Sequence, residues 1–198
     1  MTTGQWLANP DGTRWFFDSG ALSLDFGLGG VDVREQFASP ADLVEWLAER
    51  FERVEKKAST GELRDAVLLR EAIASAARAV ALGGAPTRDD VDTINLFAAM
   101  PDVPPALAGG RRRAGAGRVR AAQALASVAR DAVRVFTTHG RLDDAGEASA
   151  RRRIRECEAD DCGYVFLDES RADNRRWCSM QRCGNRAKVR AHRARALG

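Results

Sequence analysis

Residues 157–186 read CEADDCGYVFLDESRADNRRWCSMQRCGNR and hold every cysteine of the 198-residue chain: Cys157, Cys162, Cys178 and Cys183. Four residues lie between the members of each pair and fifteen lie between the pairs. Two close pairs separated by a loop fit the general spacing of a four-cysteine Zn2+ site, although an interval of about two residues within a pair is commoner. GYVFLDES, between the pairs, supplies the apolar residues of a short strand. The stretch predicts a cysteine pair, a hairpin, a second pair and a helix, a treble-clef-like or ribbon-like arrangement. The other readings are two disulfides, disfavoured in a reducing compartment, and four unrelated thiols, disfavoured by their confinement to one segment.

A segment as short as 151–198 buries little apolar surface by itself, whereas structural zinc contributes about 10–16 kcal/mol to folding. The expectation is that metal acts as the core of this segment. Four thiolates complete a tetrahedral shell and leave no position for an activated water, so the site reads as structural rather than catalytic.

Charge follows the cysteines. Residues 151–198 carry 13 Lys+Arg against 7 Asp+Glu, while residues 1–150 carry 18 against 21. Downstream of Cys183, Asn185 is a suitable N-cap and Arg186 to Leu197 contains neither glycine nor proline. At helical spacing Arg186, Arg190 and Arg193 share one ridge, Lys188, His192 and Arg195 another, with Ala187, Ala191 and Ala194 between them. The alanines are expected to seat the helix on the zinc hairpin. The ridges, with Arg175, Arg176 and Arg182, then form a nucleic-acid footprint. The competing reading pairs them with Glu156, Glu158, Asp160 and Asp161. It gains weight from a chain with 28 arginines and 3 lysines, a bias of GC-rich bacterial genomes as well as of function. Trp177 suits packing over the hairpin better than stacking on a base.

The first part of the chain reads as mainly helical. RWFFDSGALSLDFG, where Leu22, Leu24 and Phe26 alternate after Ser19-Gly20, predicts a short strand pair or β-hairpin. Asp25, an acid inside that apolar pattern, is a candidate ligand residue. Ser39 and Pro40 open a helix expected to reach Lys57. ELRDAVLLREAIASAARAVALGG predicts a second helix packed on the first and stopped by Gly83-Gly84, and Thr87 with Asp90 opens a third that ends before Met100-Pro101. The arginine-rich stretch before residue 121 reads as a solvated turn, since it lacks the lysine and Ser/Thr of a phosphate loop. Ala121, Leu125, Val128, Ala132 and Phe136 mark a long amphipathic helix.

The fold class is therefore mainly α with small β: a helical domain with a short β-hairpin over residues 1–149, and a zinc finger with a basic helix over 150–198. No apolar run reaches the ~18–20 residues of a membrane span, and residues 1–15 lack a signal-peptide pattern, so a cytoplasmic setting is expected. Enzyme chemistry is disfavoured. Only His139 and His192 are present, no Gly-x-Ser-x-Gly occurs, and Asp143-Asp144 reads as a loop.

WCSMQRCGNRAK resembles the signature of the CGNR zinc-finger proteins, bacterial proteins named for the tetrapeptide found here at Cys183-Gly184-Asn185-Arg186. The likeness covers roughly 150–196. The preceding part is similar in layout to the family's N-terminal ABATE domain, which carries Leu-Asp-Phe-x-Asn-Thr where this sequence has Leu24-Asp25-Phe26-Gly27-Leu28-Gly29. The family is described as stress-induced transcription regulators. The resemblance thus implies DNA as partner; on that reading the N-terminal domain is expected to serve a homodimer, a small ligand or a protein partner. The alternative is an interaction module in which the finger binds an acidic protein or RNA.

Overall fold

The computed structural model describes residues 3–9, 12–28, 37–108, 111–114, 118–140 and 153–196. Asp143-Asp144, Leu197 and the expected boundary near 150 lie outside the described residues. Strands β1 (Gln5–Ala8) and β2 (Arg14–Phe17) pair antiparallel, with Trp6 opposite Phe16 and Leu7 opposite Trp15. Their alternation gives the hairpin two faces: Leu7, Trp15 and Phe17 are buried, while Trp6 and Phe16 point outward. The expected hairpin exists, but it precedes the Ser19-Gly20 turn.

Leu22–Phe26 is a helix, α1, and not a strand. All five of its residues are buried, so no polar face betrays its period. Its first turn is fixed from outside, as Ser23 donates from N and Oγ to Asp131 Oδ2 at 2.8 Å each.

Helix α2 (Pro40–Ala48) starts at Ser39, whose Oγ accepts from Asp42 N while Asp42 Oδ2 accepts from Ser39 N. This capping box satisfies two otherwise orphaned donors. The helix stops well before Lys57. Arg53 takes a φ of 59°, and Val54 forms a parallel bridge with Val119, so the chain leaves as extended backbone that still packs on the core.

Helix α3 (Thr60–Ala81) has its own capping box, Ser59 with Glu62, and Thr87 caps α4 (Arg88–Ala98). Pro105–Ala108 and Arg111–Ala114 pair as β3 and β4, where a turn was expected. The Gly109-Gly110 dipeptide between two runs without helical period was the sequence signal for such a hairpin. Helix α5 (Ala121–His139) buries Leu125, Val128 and Ala132 against α1, α3 and α4.

The last described residues form β5 (Ile154–Glu156) and β6 (Val165–Leu167), then a single π turn (Met180–Gly184) running into α6 (Asn185–Ala196). Val165, Phe166 and Leu167 are all buried because the strand pair is covered on two sides. Ile154, Val165 and Leu167 pack with Ala21, Leu24, Ala77, Val80 and Val135 of the helical part. Phe166 and three cysteines pack with Leu7, Trp15, Phe17 and Leu28. The metal is therefore not the sole core available to this segment, which uses apolar surface from the preceding chain. The junction is close: Leu167 N donates to Ser19 O at 2.7 Å, and Gly20, at φ 81°, leaves only 3.1 Å between a hypothetical Cβ and Leu167 O. Glycine is needed there both for its backbone angle and for the approach.

Candidate metal centre

Two turns bring the cysteines together. Cys157 N donates to Tyr164 O at 2.8 Å and Cys162 N to Ala159 O at 3.0 Å, which folds the first pair into a knuckle after β5. Gly163, with φ 73°, reverses the chain into β6. In the second pair, Cys178 lies on the extended segment before the π turn and Cys183 inside it, where Cys183 N and Gly184 N both donate to Ser179 O. Gly184 leaves no room for a larger residue without movement, since a Cβ would lie 2.7 Å from Met180 Sδ and 3.2 Å from Trp177 Cδ1.

The four Sγ atoms all lie within 4.8 Å of one another, with Cys162 to Cys178 and Cys178 to Cys183 at 3.5 Å. A tetrahedral ion with Zn–S bonds of about 2.3 Å separates its sulfurs by roughly 3.8 Å, so the set fits with small adjustment. All four cysteines are free thiols rather than disulfides. Hydrogen bonds from Cys162 and Cys178 pull Cys157 below the ordinary thiol range, and the contact with Cys157 pushes Cys162 and Cys178 above it. Sulfurs this close cannot all carry charge without a cation between them. The cluster is a place to hold a metal ion, with no fifth protein ligand beside it among the described residues.

Several arginines expected on nucleic acid turn out to serve this cluster. Arg182 Nη1 lies 3.9 Å from Cys162 Sγ, and its guanidinium stacks over Trp15 and Tyr164 at 4.7 and 5.7 Å. Arg186 Nη2 donates to Cys183 Sγ at 3.3 Å, a contact that raises the arginine's pKa. Cys178 N donates to Cys157 Sγ at 3.3 Å. A divalent ion with four thiolates carries a net charge of −2, and these donors offset it. Arg175 is half-buried over the Phe166 ring and donates to Trp177 O, Cys178 O and Asp18 O. It ties the second pair to the end of β2, and burial lowers its pKa.

The outer arginines meet the first knuckle. Arg186 Nη1 pairs with Asp161 at 2.7 Å, Arg190 with Asp160 and Asp161 at 3.4 and 3.5 Å, and Arg176 with Glu158 at 2.6 Å. Lys188, Arg193 and Arg195 are exposed and show no ion pair among the described residues. Asn185 is not an N-cap. The π turn continues directly into α6, and Asn185 Nδ2 donates back to Gln181 O. The alanine strip does not seat the helix either: Ala187 is half-buried, but Ala191 and Ala194 are exposed, so α6 projects from the body after its first turn. Trp177 packs into the cluster around the cysteines.

Asp168, absent from the sequence reading, organises the loop between the pairs. It is fully buried and accepts from Ser170 N and Arg175 N at 2.9 and 2.8 Å, with Arg155 Nε at 3.6 Å. Burial pushes its carboxyl up, but those hydrogen bonds and the Arg155 charge together hold it below the usual range. Asp25 is likewise fully buried on α1, where it accepts from Gly4 N and from Ser19 N at 3.1 Å. Burial raises its pKa against those donors. Its oxygens join the hairpin to α1.

A family model described as "Putative stress-induced transcription regulator", ABATE, matches residues 20–139, and a second, described as "CGNR zinc finger", matches 153–196. The chain belongs to the ABATE family. No curated protein matches it. The CGNR match contains all four cysteines together with α6, so the metal cluster in this ABATE chain coincides with the finger of the family model. Neither description names an enzyme. Among the described residues no helix is long and apolar enough to cross a membrane.

Proposed function

We propose that this protein is a zinc-dependent, DNA-binding transcription regulator of the bacterial cytoplasm. Cys157, Cys162, Cys178 and Cys183 hold one Zn2+, and α6 meets the phosphate backbone. The observation that carries the reading is the projecting basic helix on a four-cysteine finger, fused to a body whose family description is that of a regulator. Lys188, Arg193 and Arg195 contact phosphates first, because their charges are exposed and unpaired among the described residues. Arg176, Arg186 and Arg190 join when the acidic knuckle yields, while Arg175 and Arg182 act through the structure of the metal centre.

Fluorescence anisotropy of labelled duplex DNA tests this, with zinc-loaded wild type against a Lys188→Ala, Arg193→Ala, Arg195→Ala variant. Wild type is expected to bind non-specifically with a Kd on the order of 1–100 μM, and the variant to lose about two to three units of salt slope. Absence of duplex binding by wild type at low salt sinks the reading.

The exposed Val189, Ala191 and Ala194 on α6 support a second reading, in which an acidic protein covers both the apolar and the basic positions. That module binds duplex DNA no better than the triple variant does.

A further inference from the structure

The outward face of the β1–β2 hairpin and α2 enclose an open cleft of about 410 Å³ that plays no part in the metal centre. That volume lies in the range of small-ligand sites, about 300–1,000 Å³. Four aromatic side chains, Trp6, Phe16, Phe37 and Trp46, line it. Trp6 and Phe16 face each other across the hairpin at 5.5 Å between centroids, edge to face, and are 59% and 39% exposed. Phe37 and Trp46 stand edge to face at 6.3 Å on the opposite side. The Phe16 ring lies directly over Gly4, where a Cβ would come within 2.2 Å of its Cζ, so the sequence keeps this ring in place by leaving out a side chain.

The polar lining is mostly of one sign. Asp42, Glu45 and Glu49 contribute carboxylates, and Arg14 is the one guanidinium among the described lining residues. Asp42 is engaged in capping α2 and Glu49 pairs with Arg50, while Glu45 is exposed and shows no partner among the described residues. Arg14 already places its guanidinium 5.6 Å from the Trp6 centroid, and Arg50 stacks at 3.8 Å on Trp46. Arg70 stands 5.3 Å from the Phe37 centroid, so the buried rings of Phe37 and Trp46 already hold cations, and the surface open to a ligand is that of Trp6 and Phe16. Aromatic rings with carboxylates at the rim are the surroundings that hold alkylammonium groups, through attraction to the ring faces and low cost of leaving water.

We infer that this cleft is a binding site for a small organic ammonium ion, seated against the exposed rings of Trp6 and Phe16 with Glu45 beside its charge. The inference is independent of DNA binding, since neither the finger nor α6 lines the cleft. A neutral molecule of the same shape loses the attraction to the rings and carboxylates, and an anion meets repulsion.

The test uses the full-length zinc-loaded protein and two soluble probes of equal shape, choline and its uncharged carbon isostere 3,3-dimethylbutan-1-ol. Indole Nε1 resonances of Trp6 and Trp46 are followed by NMR during titration. Choline is expected to shift both saturably and to bind about tenfold more tightly than the isostere. Trp6→Ala and Glu45→Gln, both at exposed positions, are expected to weaken choline at least about threefold, and Arg14→Ala to strengthen it by removing the resident cation. The assignment is overturned if choline causes no saturable shift, if the two probes bind equally, or if choline binds Trp6→Ala and Glu45→Gln as it binds wild type.

Discussion

Arg186 reaches from the second cysteine pair to Asp161 in the first, Nη1 to Oδ2 at 2.7 Å, while its other terminal nitrogen donates to Cys183 Sγ. One guanidinium thus spans the metal cluster and the acidic knuckle. Arg190 adds ion pairs to Asp161 and to its neighbour Asp160. On the proposed DNA-binding reading, these carboxylates compete with phosphates for the two guanidiniums.

Asp160→Asn with Asp161→Asn should therefore increase duplex affinity. Exposed ion pairs are worth up to about 1 kcal/mol each, so a gain of about two- to tenfold at low salt is expected, with a steeper salt dependence. Anisotropy at several salt concentrations measures both. An unchanged affinity in the double variant would show that Arg186 and Arg190 do not reach the DNA.

Trp15 covers the sulfur cluster from the hairpin side and supports Arg182 in front of Cys162. Trp15→Ala should cost about 3–5 kcal/mol of stability and accelerate zinc transfer to a chromophoric chelator several-fold at a temperature where circular dichroism still shows the folded state. Equal release rates in wild type and variant would mean that the hairpin does not guard the metal.

Asp168 gives a pH signature. Its carboxyl titrates below the unfolded value of about 3.9, so its contribution is present above that pH and disappears as pH falls through the lower folded value. Asp168→Asn should cost about 1–3 kcal/mol at pH 7, because one of the two backbone donors then faces an amide N–H₂. Urea melts at pH 7 and at about pH 3.5 should show the gap between wild type and variant narrowing in acid. Both melts are run on metal-free protein, so that zinc release in acid does not enter the comparison. A gap independent of pH would place the effect in packing.

The helices were legible wherever the chain writes its own start signal. Ser39-Pro40 and Thr87 with Asp90 are local devices read in the sequence, and the structure uses both; Ser59 with Glu62 is a third of the same kind that the sequence reading passed over. The cysteine cluster was legible because two close pairs confined to one segment suit a tetrahedral metal site, although the turns that join them were not. What was not legible depends on partners far away in sequence. Leu22–Phe26 looks like a strand because burial on every side, not local propensity, makes it a helix. The true hairpin turn carries Asn9-Pro10-Asp11-Gly12, a strong turn sequence that could have placed it. Arg175 and Arg182 looked like surface charge, and only the packing of Phe166, Trp15 and Tyr164 reveals them as internal supports.

The seam between the hairpin and the cysteines also sets an order of events during synthesis. Phe17 leaves the ribosome about 140 residues before Cys157, and at about 5–20 residues per second that interval is roughly 7–28 s. Throughout it the inner face of Leu7, Trp15 and Phe17 has Leu28 to pack against but lacks the cover that Phe166 and the cysteines supply. The nascent chain must shelter three apolar side chains until residues 157–183 appear. The hairpin's anchors on α1 and α2 can thus form well before its inner face is covered.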